Sequence, residues 1–176
     1  MHTTYYLVDG CRWRRQRYRE AKFDLGLKFD LLNTMEYIPY HSKKFNDLEK
    51  DVQDWMVNAN TTKMAFDAVC EIAEKHLVKH IISLGSAWVN ILEQHGYQPV
   101  EDITIRNSKN NVLGRLKKYQ ISESALPIVI HLVQNAIRFP TRPSVVNEMR
   151  RMLGERPLEV FQRSELDPDD FVQVNK

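Results

Sequence analysis

The sequence predicts an all-α protein, a bundle of five to seven helices with a basic N-terminal arm and little or no sheet. Three observations lead there. Apolar residues recur at intervals of three and four over much of the chain, most regularly at Phe66, Cys70, Ala73, Leu77, Ile81 and Leu84. Strand-like patterning is confined to two short stretches, 3–8 and 97–105. Gly and Pro number only six and seven in 176 residues, too few for low-complexity linkers.

In chain order, 3–8 reads as a short strand or an extended arm, closed by the Asp9-Gly10 turn signal. Trp13, Tyr18, Phe23, Leu25, Leu27 and Phe29 fit neither the helical nor the strand period, so helix and irregular arm both stay open until Pro39. The division is an arm over 1–40 and a helical domain over 41–176. An amphipathic helix is predicted over 45–57, with Phe45, Leu48, Val52 and Met56 on one side. Thr61 or Thr62 caps the next, over 63–84. Trp88, Ile91 and Leu92 continue its stripe past Gly85-Ser86, and His95-Gly96 stops it. Ser108 caps a helix to residue 119 that turns Val112, Leu113 and Leu116 inward. Ser122 or Ser124 caps the central helix, 125–139, apolar almost all round, with Pro127 in its first turn and Pro140 after it. A helix over 143–153 closes at Gly154; short helical turns at 157–163 and near Phe171 complete the set.

An apolar fraction of 43% and a charged fraction of 27% are ordinary for a globular chain long enough to bury a core without staples. Cys11 and Cys70 have no metal or redox spacing, which points to idle thiols. No signal-peptide pattern and no membrane-length apolar run is visible, so the expected location is the cytoplasm, or a virion or phage particle made there.

Charge is the feature that bears on function. The net charge is +2, but it is segregated. Residues 1–29 hold seven Lys/Arg against three acids, and 106–151 hold nine against two; 30–60, 61–105 and 152–176 are each net acidic. In the arm, Arg12, Arg14, Arg15, Arg17 and Arg19 interleave with Trp13 and Tyr18, a mixture suited to phosphate contact and to stacking on unpaired bases. The same residues also suit a packing role, the aromatics anchoring the arm and the arginines pairing with the acidic middle. The second block contains Arg106, Lys109, Arg115, Lys117 and Lys118, then Arg138, Arg142, Arg150 and Arg151. A helix-turn-helix within 110–134 is disfavoured, because its second helix presents Ala125, Leu126, Ile128, Val129 and Ile130 where polar readers belong.

Two further groupings are weaker. His131, Gln134, Asn135 and Arg138 form a polar stripe on the predicted central helix, read as its solvated strip. His76 and His80, four apart, lack the Glu of a zinc-protease motif and a third ligand at a telling distance, so no metal site is predicted. Phosphate-binding Gly loops, a nucleophile elbow and Glu-x-x-His pairs are all missing from the sequence.

These features predict a non-enzymatic nucleic-acid-associated protein without cofactor. It would contact the phosphates of RNA or DNA with low sequence specificity, as in a self-assembling nucleoprotein or coat-like subunit. Assembly would set acidic 30–105 of one copy against basic 106–151 of the next. The alternative is an interaction module, such as an immunity, anti-defence or adaptor protein, whose basic face meets an acidic protein. A metal- or small-molecule-dependent enzyme built on His76, His80, His131 and Arg138 is a third, weaker reading.

Overall fold

The computed structural model describes residues 16–29, 49–132 and 139–159, and it is not an all-α bundle. A four-stranded mixed sheet lies between two helical layers. The elements are a π-helical turn Glu20–Asp24, α1 Lys50–Asn58, α2 Asn60–Glu74, β1 Ile81–Leu84, α3 Ala87–Gln94, β2 Pro99–Arg106, β3 Val112–Tyr119, β4 Ile128–Leu132 and α4 Pro143–Met152. The strand order is β1-β4-β3-β2. β1 runs parallel to β4, while β3 is antiparallel to both β4 and β2. β1 and β2 therefore lie at opposite edges, joined through α3, with the β3 and β4 strands between them.

Three predicted helices become strands, each for an identifiable reason. The 63–84 pattern holds only to Glu74. His76 takes a left-handed conformation (φ 52°), ending the helix, and 81–84 pairs with β4. The segment 108–119 becomes a turn and β3. Asn107 Oδ1 accepts hydrogen bonds from the Lys109 and Asn111 amides at 3.0 and 2.9 Å, and Asn110 sits at φ 63°. Such Asx geometry stabilises a tight hairpin where a cap was expected. The central helix becomes β4, a strand buried on both faces, whose short run of β-branched residues has no period of its own. With both members now strands, the helix-turn-helix rhythm is gone.

The helical elements that survive are those with unambiguous ends. Gly96 at φ 84° follows α3, Pro143 opens α4, and Gly154 at φ 75° follows it. The predicted 45–57 helix is found as α1 from Lys50, and α2 begins at Asn60 without a threonine cap. The expected strand at 3–8, the 9–10 turn and the turn near Phe171 lie outside the described residues. So do Phe45, Leu48 and most of 157–163; residues 157–159 are not helical.

The sheet divides two apolar clusters. On one face Phe66 and Val69 of α2 and Val89, Ile91 and Leu92 of α3 pack on Tyr119, Ile128 and Ile130. On the other, α4 contributes Val145, Val146, Met149 and Met152, which meet Leu116, Val129 and the N-terminal residues Ala21, Leu25 and Leu27. Residues 16–29 therefore form part of the core. Arg150, 6% exposed, ties them down: its Nη1 donates to the carbonyls of Leu25 (2.5 Å) and Gly26 (3.0 Å), and its Nε to that of Arg156 (2.6 Å).

Two substitutions test this packing. A Cβ on Gly114 would stand 2.8 Å from Val145 Cγ1, and Val145 is buried with nowhere to go. Gly114→Ala should therefore lower unfolding free energy by about 1–3 kcal/mol through overpacking. Arg150→Met should cost roughly 3–5 kcal/mol, since it strands three carbonyls at a buried site. Urea denaturation of each variant measures both.

Candidate functional site

β3 carries Arg115, Lys117 and Lys118 through the sheet interior, and strand alternation sends them to opposite faces. On the α3 face, Arg115 makes two hydrogen bonds to Asp102, at 2.9 and 2.6 Å. Lys117 Nζ lies 2.9 Å from Glu93 Oε1 and 3.8 Å from Asp102, and the buried Tyr119 hydroxyl donates to Glu93 at 3.1 Å. On the α4 face, Lys118 meets Glu101 at 3.0 Å. Arg151 reaches the same Glu101 and also bonds Glu148 at 2.8 Å.

The electrostatics follow from these contacts. Hydrogen bonds from Lys117, Arg151 and Arg115 hold Glu93, Glu101 and Asp102, respectively, below the ordinary carboxylate range. Burial pushes the Tyr119 phenol up. Acid–base catalysis needs groups drawn towards neutrality; here each is held more firmly in its ordinary state. The network stitches the sheet.

The predicted basic face is thus largely engaged within the chain. The structure brings Arg115, Lys117 and Lys118 together on one strand but gives each a carboxylate. Arg106 and Lys109 differ. Arg106 donates to the Asn110 carbonyl at 2.9 Å, and Lys109 projects from the turn; both are exposed and meet no carboxylate among the described residues. Val145 abuts Gly114, so α4 begins at the same end of the sheet, and exposed Arg142, its N-cap residue, stands there too. The positive end of the α4 dipole adds to that potential. Arg142 belonged to the basic block, but nothing in the sequence distinguished it from its neighbours; Pro143 after it marks a helix start, the one signal that could have.

The arm divides at Gln16. Arg12, Trp13, Arg14 and Arg15 lie outside the described residues. Arg17 is buried, its Nη1 2.8 Å from Glu20 Oε2, and that oxygen accepts the Phe139 amide at 3.2 Å. Tyr18 packs edge-on to Phe29 with ring centroids 5.2 Å apart. Arg19 is half-buried. Tyr18 thus packs within the N-terminal segment, and Arg17 pairs with Glu20 of that same segment rather than with the acidic middle.

The two histidines are not brought together. His76 Nε2 lies 2.6 Å from the Ser124 carbonyl and His80 Nε2 lies 3.0 Å from Glu155 Oε1. Among the described residues no group of three or more His, Cys, Asp or Glu is placed to hold a metal. His131 lies on β4, not on a helix, and is buried beneath α4; Gln134, Asn135 and Arg138 lie outside the described residues. Burial pushes the half-buried Cys70 thiol up to about 11, which leaves it a poor nucleophile.

Comparison with protein-family models, curated proteins and solved structures found no match to this chain. Nothing in the fold or the comparisons supports the expected virion or phage origin, and it is set aside. Among the described residues no helix is long and apolar enough to cross a membrane.

One node gives a pH prediction. Glu155 accepts Lys79 at 2.7 Å and His80 at 3.0 Å, with Arg150 3.8 Å away. Burial lowers the His80 pKa below its ordinary value against the opposing charge and hydrogen bond of Glu155, with the Lys79 and Arg150 charges adding smaller lowering effects. The unfolded chain therefore binds more protons just below pH ~6.5, and stability falls as pH drops through that window. Glu155 is also lowered, chiefly by Lys79, so its contribution is present above its unfolded value and lost as pH falls further. Urea midpoints of wild type should decline on acidification from neutrality, and His80→Gln should flatten the upper part of that decline.

Proposed function

We propose that the chain binds nucleic acid through phosphate contacts of low sequence specificity, gripping with the turn end of the β2–β3 ribbon and the start of α4. One observation carries the reading. Within the basic block, among the described residues, Arg106, Lys109 and Arg142 are exposed without a carboxylate and share one end of the sheet, whereas Arg115, Lys117, Lys118 and Arg151 each face an acid. Guanidinium and ammonium groups held this way suit phosphate oxygens. Among the described residues no helix is offered to a groove, so base readout is not part of the reading. Arg12, Arg14 and Arg15 would extend the grip. Arg17, buried on Glu20, would not.

Fluorescence anisotropy with labelled single-stranded RNA and duplex DNA across a salt series tests this. Three phosphate contacts correspond to a log–log salt slope of roughly −2 to −3. Arg106→Gln/Lys109→Gln/Arg142→Gln should lower affinity and flatten the slope, while Lys118→Gln, whose charge is already matched, should leave both near wild type. No binding by wild type, or unchanged binding by the triple variant, overturns the reading. In that event a defined complex that survives nuclease treatment would favour an acidic protein partner at the same end.

A further inference from the structure

Among the described residues, two clusters of exposed charge stand without ion pairs, beside scattered single charges such as Lys28, Lys63, Asp67, Glu74 and Glu123. One is the basic end, Arg106, Lys109 and Arg142. The other is α1 with the residue before it. Glu49, Asp51 and Asp54 are exposed and no cation is paired with them among the described residues, although Lys50 sits on the same helix. Two large apolar side chains stand among these acids. Trp55 is 64% exposed and Val52 38% exposed, three residues apart and so on one side of the helix. A Trp that open to water is uncommon in a folded chain and marks contact surfaces.

The basic end carries the matching features. On the outer face of the ribbon Arg106 pairs in register with Val112, and Val112 is 55% exposed. Exposed Thr104 and Arg115 continue the same uncovered face. A surface of Val112 flanked by Arg106 and Lys109 complements a surface of Val52 and Trp55 flanked by Glu49, Asp51 and Asp54. Carboxylates meet cations, the Val surfaces meet, and the Trp55 ring can take a guanidinium over its face.

We propose that α1 of one copy docks on the turn end of the β2–β3 ribbon of a second copy, a head-to-tail contact between two different surfaces of the same chain. Such a heterologous contact can repeat from copy to copy. It uses the basic end named above but stands on charge and apolar complementarity rather than on nucleic-acid binding. One short helix buries little area, so the contact is weak, concentration-dependent and reduced by salt. The two uses of the basic end are also mutually exclusive, and a polyanion should compete with α1 for it.

Sedimentation velocity of the full chain over a concentration series in low salt tests this. Wild type should rise above monomer mass with concentration and return to monomer in high salt. Asp51→Asn/Asp54→Asn/Trp55→Ser and, separately, Arg106→Gln/Lys109→Gln should each remain monomeric. These residues are exposed, and circular dichroism matching wild type checks each fold. Mixing the two variants leaves one intact helix and one intact ribbon, so the mixture should form a 1:1 dimer and nothing larger. A wild type that stays monomeric throughout, variants that associate as wild type does, or a mixture that stays monomeric overturns the proposal. Heparin, as the polyanion probe, separates the two readings. If it binds and dissolves the assemblies, both stand. If it neither binds nor dissolves them, nucleic-acid binding fails and self-association remains.

Discussion

β3 takes three positive charges into the middle of a four-stranded sheet, and the rest of the fold is arranged around neutralising them. Lys117 has a side chain only 12% exposed, so its ammonium cannot rely on water. Left alone it would be an uncompensated charge, a larger penalty than any single pair returns. Glu93 of α3 and Asp102 of β2 supply the counter-charge from two elements at once, and Tyr119 completes the hydrogen bonding of Glu93. Glu101 does the same on the far face for Lys118 and for Arg151 of α4. Cross-strand pairs of this kind contribute only about 0.2–1 kcal/mol each. A one-residue slip of β2 would still set Glu101 against Lys117 or Asp102 against Lys118 but would take Ile103 from Leu116, so register rests on the apolar residues and the charges add to it.

This arrangement also decides what the surface can do. A block of nine basic residues in the sequence suggests a broad positive face, yet the fold directs most of its described members inward or onto acids. Arg150 is the extreme case, buried and occupied with backbone carbonyls. Among the described residues, what remains beside scattered single charges is a basic end and an acidic helix bearing Trp55. Of the complementarity between acidic 30–105 and basic 106–151 that suggested contact between copies, the part carried by Glu93, Glu101 and Asp102 is met inside one chain. Only charge that survives this internal matching can recruit a partner.

Legibility in the sequence followed the strength of local stops. α4 was readable because Pro143 and Gly154 bracket it, and the end of α3 because Gly96 follows it. α2 was readable up to Glu74, but the stripe ran on through Leu77, Ile81 and Leu84 into a strand. Three- and four-residue spacing of apolar groups survives by accident when β1 must be apolar on both faces. β4 failed for the same reason in stronger form: a run apolar on every side is what a central strand and a buried helix share. At the candidate site, Arg106 and Lys109 were among the residues singled out. Which cations would be matched depended on strand pairing, which a running charge sum does not contain.

A signal for that pairing was nevertheless present. In an antiparallel hairpin, residues equidistant from the turn face one another. Counting outward from Lys109-Asn110, Ile103 meets Leu116, Asp102 meets Lys117 and Glu101 meets Lys118. Apolar mirrors apolar and acid mirrors base, on alternating faces, about a centre flanked by Asn107 and Asn111. A helix imposes no mirror relation, since its partners recur at fixed offsets in one direction. The sequence from Glu101 to Lys118 therefore encodes a hairpin through symmetry of charge about a polar turn, and the acids of one strand are the reason the bases of the other are not free.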